Sequence, residues 1–379
     1  MIKNLILTVF LFFSITLAAA AQNERTSTSQ WKHSDGSTEL SVTMRDNVRF
    51  NDDYTDVLSI NGDGSLEVLE RRNGVTRLLK IMAGRNGQLV RTYSVNGQER
   101  EFDTEGKNWL AKMLAEAVSK GFEARARALQ IVRQRGATGI LNEIPQLTGD
   151  YTKRVYLEEA VKSRSFDSGA LQKVLKIIER DISSDYEKAT FLINGLSASP
   201  ANRNTIDAYF QATGTIKSAY EHARVLKAVL KENPENKEIL MLTLASAAKI
   251  SSDYEKANVL IQAVQFNPQD ERQRIAASRN MLDAYFAAAG TIKSDYEHAR
   301  VLKTVLKSHP ANKEILMLTL TSASKISSDY EKANVLIQAA QANFQDEGIR
   351  NALLTAAKTI TSDHERGRVL NVVYLKEVR

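Results

Sequence analysis

The chain has 379 residues, of which 43% are hydrophobic and 25% are charged, and its formal net charge is +6. It contains no cysteine, which excludes disulfide bonds, thiolate metal sites, cysteine nucleophiles and lipid attachment to a cysteine. Acidic and basic residues are mixed along the chain, without the basic stripe interleaved with aromatics that nucleic-acid binding favours. We therefore expect no nucleic-acid partner.

Residues 1–21 have the pattern of a secretory signal peptide. Lys3 precedes an apolar run over 5–17, and small residues stand just before Gln22. A positive start, a short apolar core and small residues at the cleavage site are typical of export signals. The pattern predicts cleavage before Gln22, a linker over 22–36, a periplasmic location and no stable membrane span after cleavage. The alternative is an uncleaved N-terminal anchor.

Residues 37–104 consist of short apolar/polar stretches separated by glycine turns. Asn-Gly or Asp-Gly pairs occur within 61–64, 72–74, 84–87 and 95–98. Such pairs supply the positive φ angles that tight hairpin turns require, so they predict an antiparallel β-meander of five or six strands. The outer face of the meander is expected to carry several arginines, and it either meets solvent or docks an anionic partner. These arginines are Arg71, Arg72, Arg77, Arg91 and Arg100.

From residue 105 to residue 379 the apolar period becomes helical, and one motif recurs every 34 residues or so. Its copies are separated by 35, 34, 34, 42, 34 and 34 residues. The segment Asp207–Gln265 also recurs as Asp283–Gln341 with ten differences over fifty-nine positions, which indicates a tandem duplication. The copies begin at Asp150, Asp185, Ala219, Asp253, Asp295, Asp329 and Asp363.

A fixed period of this length is the mark of a solenoid, in which each unit buries a face only by stacking on its neighbours. We therefore predict an α+β chain, mainly α. An N-terminal antiparallel β-meander domain over 37–104 is followed by an α-solenoid of about seven helical hairpins over 105–379.

The recurring "SDYEKA" motif is interpreted as a helix start. Ser252 stands three residues before Glu255, and the same spacing recurs in five other copies. In such a capping box the Ser oxygen accepts from the N3 amide, and the Glu side chain reaches back to the cap amide. The intervening Asp adds negative charge where the helix dipole favours it. We expect Tyr254 to pack in one stripe with Ala257 and Val264. The alternative is an active-site fingerprint repeated six times.

Proline turns are expected to end the hairpins, because proline cannot continue a helix. The interval between Asp253 and Asp295 carries eight extra residues. We expect them to lengthen the first helix of that hairpin. The proline turns lie at Ser199-Pro200, Asn233-Pro234, Asn267-Pro268 and His309-Pro310.

No set of residues predicts catalysis. The string "HERGR" at 364–368 has Arg368 where a zincin helix needs its second histidine, and no P-loop, dinucleotide or G-x-S-x-G motif is present. His222 and His298 occupy one repeat position, which we expect to lie on a solvated helix face. We therefore expect no enzyme activity, no metal site and no cofactor.

The repeats resemble the tetratricopeptide family in their length, in "DYEKA" opening the second helix and in the proline turn after it. Leu244 and Ala245 fall where that family has its Leu-Gly pair, although Met241 replaces the expected Trp. The resemblance implies that the first helix of each hairpin lines a concave, ligand-binding face. The alternative is that the leucines there are buried between helices and the lysines only solvate helix ends. The residues expected to contact a partner are Leu242, Ser246, Lys249, Leu318, Ser322 and Lys325.

The whole layout is also similar to segments attached to bacterial membrane metallopeptidases of the β-lactam-sensor type. A meander containing "DDYTDVLSINGDGSLEV" and helices starting "SDYE" carry this similarity, which implies a sensory or accessory role. Our principal expectation is an exported, non-catalytic protein-interaction scaffold with a protein or peptide partner in the cell envelope. The alternatives are the sensory module and, in a different class, an envelope-component hydrolase.

Overall fold

The computed structural model describes residues 28–46, 48–163, 168–195, 202–265, 279–342 and 346–377. The chain divides into two compact units, Met1–Ala117 and Val118–Arg379. In the described residues, eight β-strands precede fifteen α-helices, which confirms the predicted α+β, mainly α class. The signal peptide predicted at 1–21 lies outside the described residues.

The first unit contains two antiparallel sheets. The strands are β1 (Thr28–Ser34), β2 (Thr38–Arg45), β3 (Val48–Phe50), β4 (Val57–Ile60), β5 (Ser65–Arg72), β6 (Val75–Ala83), β7 (Leu89–Val95) and β8 (Gln98–Arg100). Six of them form one sheet in the order β1-β2-β5-β6-β7-β8, and β3 pairs with β4 in the other. Asn73 and Asn96 have φ of 52° and 50°, so the predicted Asn-Gly hairpin turns are present between β5 and β6 and between β7 and β8.

The predicted linker over 22–36 contains a strand. β1 pairs antiparallel with β2 over its whole length, from Thr28 opposite Arg45 to Ser34 opposite Glu39. Its side chains are largely exposed, so the sequence lacked the apolar alternation that predicts a strand. The segment is a strand because its main chain pairs with β2.

The first helix belongs with the strands rather than with the solenoid. α1 (Thr104–Ser119) falls almost wholly within the first unit, although the helical domain was expected to begin at residue 105. The Trp109 indole of α1 donates a 2.7 Å hydrogen bond to the buried carboxylate of Glu70 in β5. The apolar side of α1, including Leu110 and Leu114, is buried.

The arginines expected on the outer face of the meander are mostly ion-paired within the first unit. Arg72 also reaches Glu116 of α1, at 2.8 Å. A guanidinium that already has a carboxylate partner has less to gain from an external anion, so the solvated-face interpretation is favoured. The other pairs are Arg71 with Glu39, Arg77 with Glu70, and Arg91 with Asp56.

The second unit consists of helices in pairs. They are α2 (Ala124–Glu143), α3 (Asp150–Lys162), α4 (Ser168–Asp181), α5 (Asp185–Gly195), α6 (Arg203–Thr213), α7 (Ala219–Glu232), α8 (Lys237–Ala247), α9 (Asp253–Gln265), α10 (Arg279–Ala289), α11 (Asp295–Ser308), α12 (Lys313–Ala323), α13 (Asp329–Ala342), α14 (Glu347–Ala357) and α15 (Asp363–Glu377), with a 3₁₀ helix at Ile144–Gln146.

These fourteen helices of the described residues form seven hairpins, from α2/α3 to α14/α15, as the 34-residue period predicted. The first helices α4, α6, α8, α10, α12 and α14 pack each on the next, and so do the second helices from α3 to α15. Apolar side chains of both layers merge into continuous buried clusters. The stacking of like helices is the arrangement of a helical-repeat solenoid.

The proline turns and the long interval are described only in part. Pro234 and Pro310 follow the ends of α7 and α11, as predicted. The turns predicted at Pro200 and Pro268 lie outside the described residues, as do residues 266–278 within the long interval. The described part of its first helix, α10, is 11 residues long, the same length as α8. Within the part of the chain that the structure describes, no helix is long and apolar enough to cross a membrane.

Candidate interaction surface

All six predicted serine caps are present. The Ser252 hydroxyl accepts from the Glu255 amide at 3.3 Å, at the start of α9. The backbone before each helix is therefore fixed by a side chain of its own sequence, and one such cap stabilises a helix by about 1 kcal/mol. The other five Ser–Glu pairs are Ser184–Glu187, Ser218–Glu221, Ser294–Glu297, Ser328–Glu331 and Ser362–Glu365, at 3.3–3.4 Å.

The second half of the capping box is replaced by a bond from the neighbouring repeat. The Ser328 amide donates at 2.7 Å to Asp295, which opens the preceding second helix, and the Ser327 amide donates to the same carboxylate. Because like helices stack, the first Asp of one repeat lies beside the cap of the next. The other Asp–Ser joints, at 2.7–2.8 Å, are Asp150–Ser184, Asp185–Ser218, Asp253–Ser294 and Asp329–Ser362.

The tyrosines of the motif form an exposed row, which corrects the predicted packing stripe. Ala257 and Val264 are buried as expected, but Tyr254 is 56% exposed. In α9 the buried residues begin with Lys256 and Ala257 at the fourth and fifth positions, so the second residue, Tyr254, points away from the core. The tyrosine row consists of Tyr151, Tyr186, Tyr220, Tyr254, Tyr296 and Tyr330, which are 51–58% exposed.

Arginines stack on alternate members of this row. The Arg300 guanidinium lies 5.2 Å from the ring centroid of Tyr254 in the preceding repeat. Arg224 and Arg368 make the same contact with Tyr186 and Tyr330, at 5.3 and 5.6 Å. Such cation–π contacts hold one ring face against the helix layer and leave the rest of the ring to solvent. At the start of the row, Arg154 stacks on Tyr151 of its own helix, at 5.3 Å.

Each stacking arginine is fixed by two further contacts. Arg300 forms an ion pair with Glu297 at 2.7 Å and donates at 2.8 Å to Asn258 of the preceding helix. Arg368 contacts Glu365 and Asn334 in the same way. The capping glutamates therefore neutralise arginines instead of bonding to the cap amide, and the rings above them are held in a defined position.

The sequence contained a signal for this arrangement that the helix-start interpretation did not use. Arg stands four residues after the second helical residue in the hairpins of α7, α11 and α15. The intervening hairpins have Thr190, Asn258 or Asn334 at that place. A position that alternates between Arg and a small polar residue predicts a pair formed between neighbouring repeats.

The predicted partner-contacting residues do not lie together on one surface. Lys249 and Lys325 are exposed, and Leu242 and Leu318 are half-buried. Ser246 is buried and hydrogen-bonded to His222 at 2.8 Å, and Ser322 repeats this with His298 at 2.9 Å. The two serines are therefore internal and present no group to a partner.

The same bonds correct the prediction that His222 and His298 lie on a solvated face. Both imidazoles are only 4% exposed, because they lie at the buried fourth position of their helices and reach the first helix of the next repeat. Burial, followed by the nearby charge of Lys249, lowers the pKa of His222 to about 4. Burial also lowers the pKa of His298. The intervening repeats have a buried lysine at the same helix position. These lysines, Lys188, Lys256 and Lys332, donate hydrogen bonds to the next repeat at Thr215, Thr291 and Thr359, respectively.

Leu242 borders a cavity on the layer of first helices. The cavity has a volume of about 390 Å³ and lies between α6, α8 and α10. Met241, Leu242 and Met281 give it an apolar lining, and Arg203 and Lys237 lie at its exposed side. Lys249 lies just beyond the C-terminal end of α8 and is not among the residues that line the cavity.

Within the described ranges, no group of three or more His, Asp or Glu side chains has the arrangement of a metal site. Comparison of the chain with models of protein families, with curated proteins and with solved structures found no match.

Proposed function

We propose that the protein is an exported, non-catalytic protein-interaction scaffold and that the tyrosine row is its principal binding surface. The observation that carries this proposal is the exposure of one tyrosine at the same place in six successive repeats. An exposed aromatic ring contributes little to a core, whereas tyrosine and arginine are the residues that dominate binding surfaces. The four rings on which arginines stack bind at a low entropic cost, because they are already ordered.

The row extends across successive second helices, so a partner is expected to cross several hairpins. Each repeat adds one ring and one hydroxyl to the surface, and the duplication of a two-repeat block lengthens it. Weak contacts at single tyrosines then sum along one bound segment.

The test compares the full chain with variants in an envelope extract. Tyr254→Ala with Tyr296→Ala is expected to lose the proteins that the wild type retains, while the melting temperature changes little because both rings are exposed. Tyr374→Ala is the matched control, since Tyr374 is 54% exposed but lies outside the row. Equal retention by the double variant and the control would refute the tyrosine row as the binding surface.

The cavity beside Leu242 favours a second candidate surface on the first helices. Its apolar lining suits an apolar side chain, and Arg203 at its exposed side is already ion-paired with Asp207 and Glu238. Leu242→Asp is expected to weaken capture at this surface, and Leu318→Asp in the duplicated block is the control. Lys249→Glu with Lys325→Glu tests the wider first-helix face, and unimpaired capture by all these variants would leave the tyrosine row alone.

We also propose that the hairpins are divergent tetratricopeptide units. The paired helices and the burial of Leu244 and Ala257 at family positions support this. The similarity of the layout to sensor-associated segments makes a membrane-bound signalling metallopeptidase the first partner to assay. Its capture through the tyrosine row would assign the sensory or accessory role.

A further inference from the structure

The spacing, the hydrogen-bonding groups and the charge of the tyrosine row suit one kind of occupant. We propose that the row binds a proline-rich segment in the polyproline II conformation, an inference that rests on the interaction function proposed above. Each of the three properties contributes a separate argument.

The first argument is the period of the row. Every row tyrosine is the second residue of its helix, so neighbours are one helix-to-helix distance apart. Packed helices lie about 8–10 Å apart. A polyproline II helix has about three residues per turn and advances about 9 Å per turn. A segment that crosses the second helices therefore presents the same side to each tyrosine, with one turn per helix.

The second argument is the balance of donors and acceptors. Within the described residues, no hydrogen bond involves a hydroxyl of the row, so these hydroxyls are available as donors. The neighbouring carboxylates are occupied, since Asp253 and Asp295 accept from cap amides and Glu297 pairs with Arg300. The row thus offers hydroxyl groups and ring faces, with few free carboxylate acceptors beside them.

A proline-rich chain is the complement of such a surface. Each proline lacks an N–H, and the carbonyl groups of polyproline II have no internal partner and remain free to accept. Proline rings also dock against aromatic side chains in known recognition modes. A glycan strand, in contrast, brings hydroxyl donors, for which the row offers only the tyrosine hydroxyls as acceptors, because the neighbouring carboxylates are already bonded.

The third argument is charge. Arg154 pairs with Glu187 and Glu158, and the other stacking arginines pair with the glutamate three residues before them. These charges are compensated within the protein. An uncharged segment therefore docks without breaking an ion pair and without leaving a charge buried and unpaired. A strongly acidic segment finds the stacking guanidinium groups already paired with carboxylates.

The six tyrosines span five helix-to-helix intervals, so full occupancy requires a segment of about sixteen residues at three residues per interval. Shorter segments reach only part of the row. Affinity is therefore expected to rise with length until this number is reached.

The experiment measures binding of fluorescent oligoprolines to the full chain. An oligoproline of about eighteen residues is expected to bind at least tenfold more tightly than one of about six, because it engages more rings. A Gly-Ser peptide of equal length, which lacks the preformed conformation, is expected to bind more weakly than either. A chito-oligosaccharide is the competing probe, and binding of the glycan without the oligoproline would overturn the inference.

Variants then place the site. Tyr254→Ala is expected to weaken oligoproline binding by about tenfold, the size of one hot-spot tyrosine. Tyr254→Phe keeps the ring and is expected to show a smaller loss, whereas Tyr374→Ala is expected to show none. Equal effects at Tyr254 and Tyr374 would overturn the inference. If the row variants lose envelope partners while the wild type binds no oligoproline, this inference fails and the proposed scaffold function stands.

Discussion

At the scale of single residues, an aspartate oxygen joins successive hairpins at five of the six joints in the described part of the chain. Asp295 accepts from the Ser327 and Ser328 amides at 3.0 and 2.7 Å, and four other joints have the same bond. Ala219 occupies this position in α7, so in the described part of the chain the Ser252 amide has no aspartate partner at the joint between α7 and α9. The duplicated block restores the aspartate, which makes the two joints a natural comparison.

Ala219→Asp is expected to stabilise the joint between α7 and α9 by about 1.5–3 kcal/mol, the usual gain for a hydrogen bond to a charged group. Hydrogen exchange at the Ser252 amide is expected to slow accordingly, while exchange at Ser328 stays unchanged. Asp295→Ala provides the reverse test, with faster exchange at Ser328. Unchanged exchange at both amides would show that the carboxylate bond contributes nothing to the joint.

At the scale of helices, buried basic groups alternate along the solenoid. Lys256 and Lys332 donate to carbonyl groups in the turn of the following hairpin, whereas His222 and His298 bond to a serine in the next first helix. Successive joints therefore use two kinds of bond, and the repeating element is a pair of hairpins. This matches the length of the duplicated segment.

The two buried histidines predict a loss of stability in acid. The folded-state pKa of His222 is about 4, below its ordinary value of 6.5, so the unfolded chain binds the proton more tightly. The contribution of His222 to the free energy of unfolding is fully present above about pH 6.5 and is lost as the pH falls toward 4. For a pKa shift of this size the loss is roughly 3 kcal/mol. Lys249 and Asp185 are the charged groups that act on His222, in opposite directions.

Thermal unfolding between pH 7 and pH 4 measures this loss. His222→Gln is expected to flatten the pH dependence in part, and His222→Gln with His298→Gln is expected to flatten it further, since the pKa of His298 is lowered as well. His364→Gln is the control, because the His364 side chain is 81% exposed. A pH profile that the double variant leaves unchanged would contradict the assignment.

At the scale of the whole molecule, the protein combines a β-sheet unit with a helical-repeat unit, and export is predicted from its first residues. N-terminal sequencing of protein from the envelope fraction is expected to begin within a residue or two of Gln22. Replacing Leu11 and Phe12 in the apolar run by Asp is expected to retain the protein in the cytoplasm. Intact Met1 on the wild-type protein in the cytoplasmic fraction would refute the proposed location.

The sequence by itself determined the features that depend on near neighbours along the chain. Ser252 and Glu255 mark a helix start because a cap and its amide lie three residues apart, and Asn73-Gly74 marks a turn because its φ angles are local. The period of 34 residues, repeated along the chain, was enough to predict stacked hairpins. These signals fixed the fold class and the number of hairpins.

The tertiary structure alone decided what each repeat presents to its neighbour and to solvent. Stacking brings together residues more than twenty positions apart, so Ser246 bonds to His222 inside the protein and Asp295 reaches Ser328. Stacking also leaves one face of each second helix in solvent, so Tyr254 is exposed. β1 likewise forms a strand because it pairs with β2, although its own sequence lacks the apolar alternation that predicts a strand. Contacts between repeats follow from the geometry of packing, which a single motif does not contain.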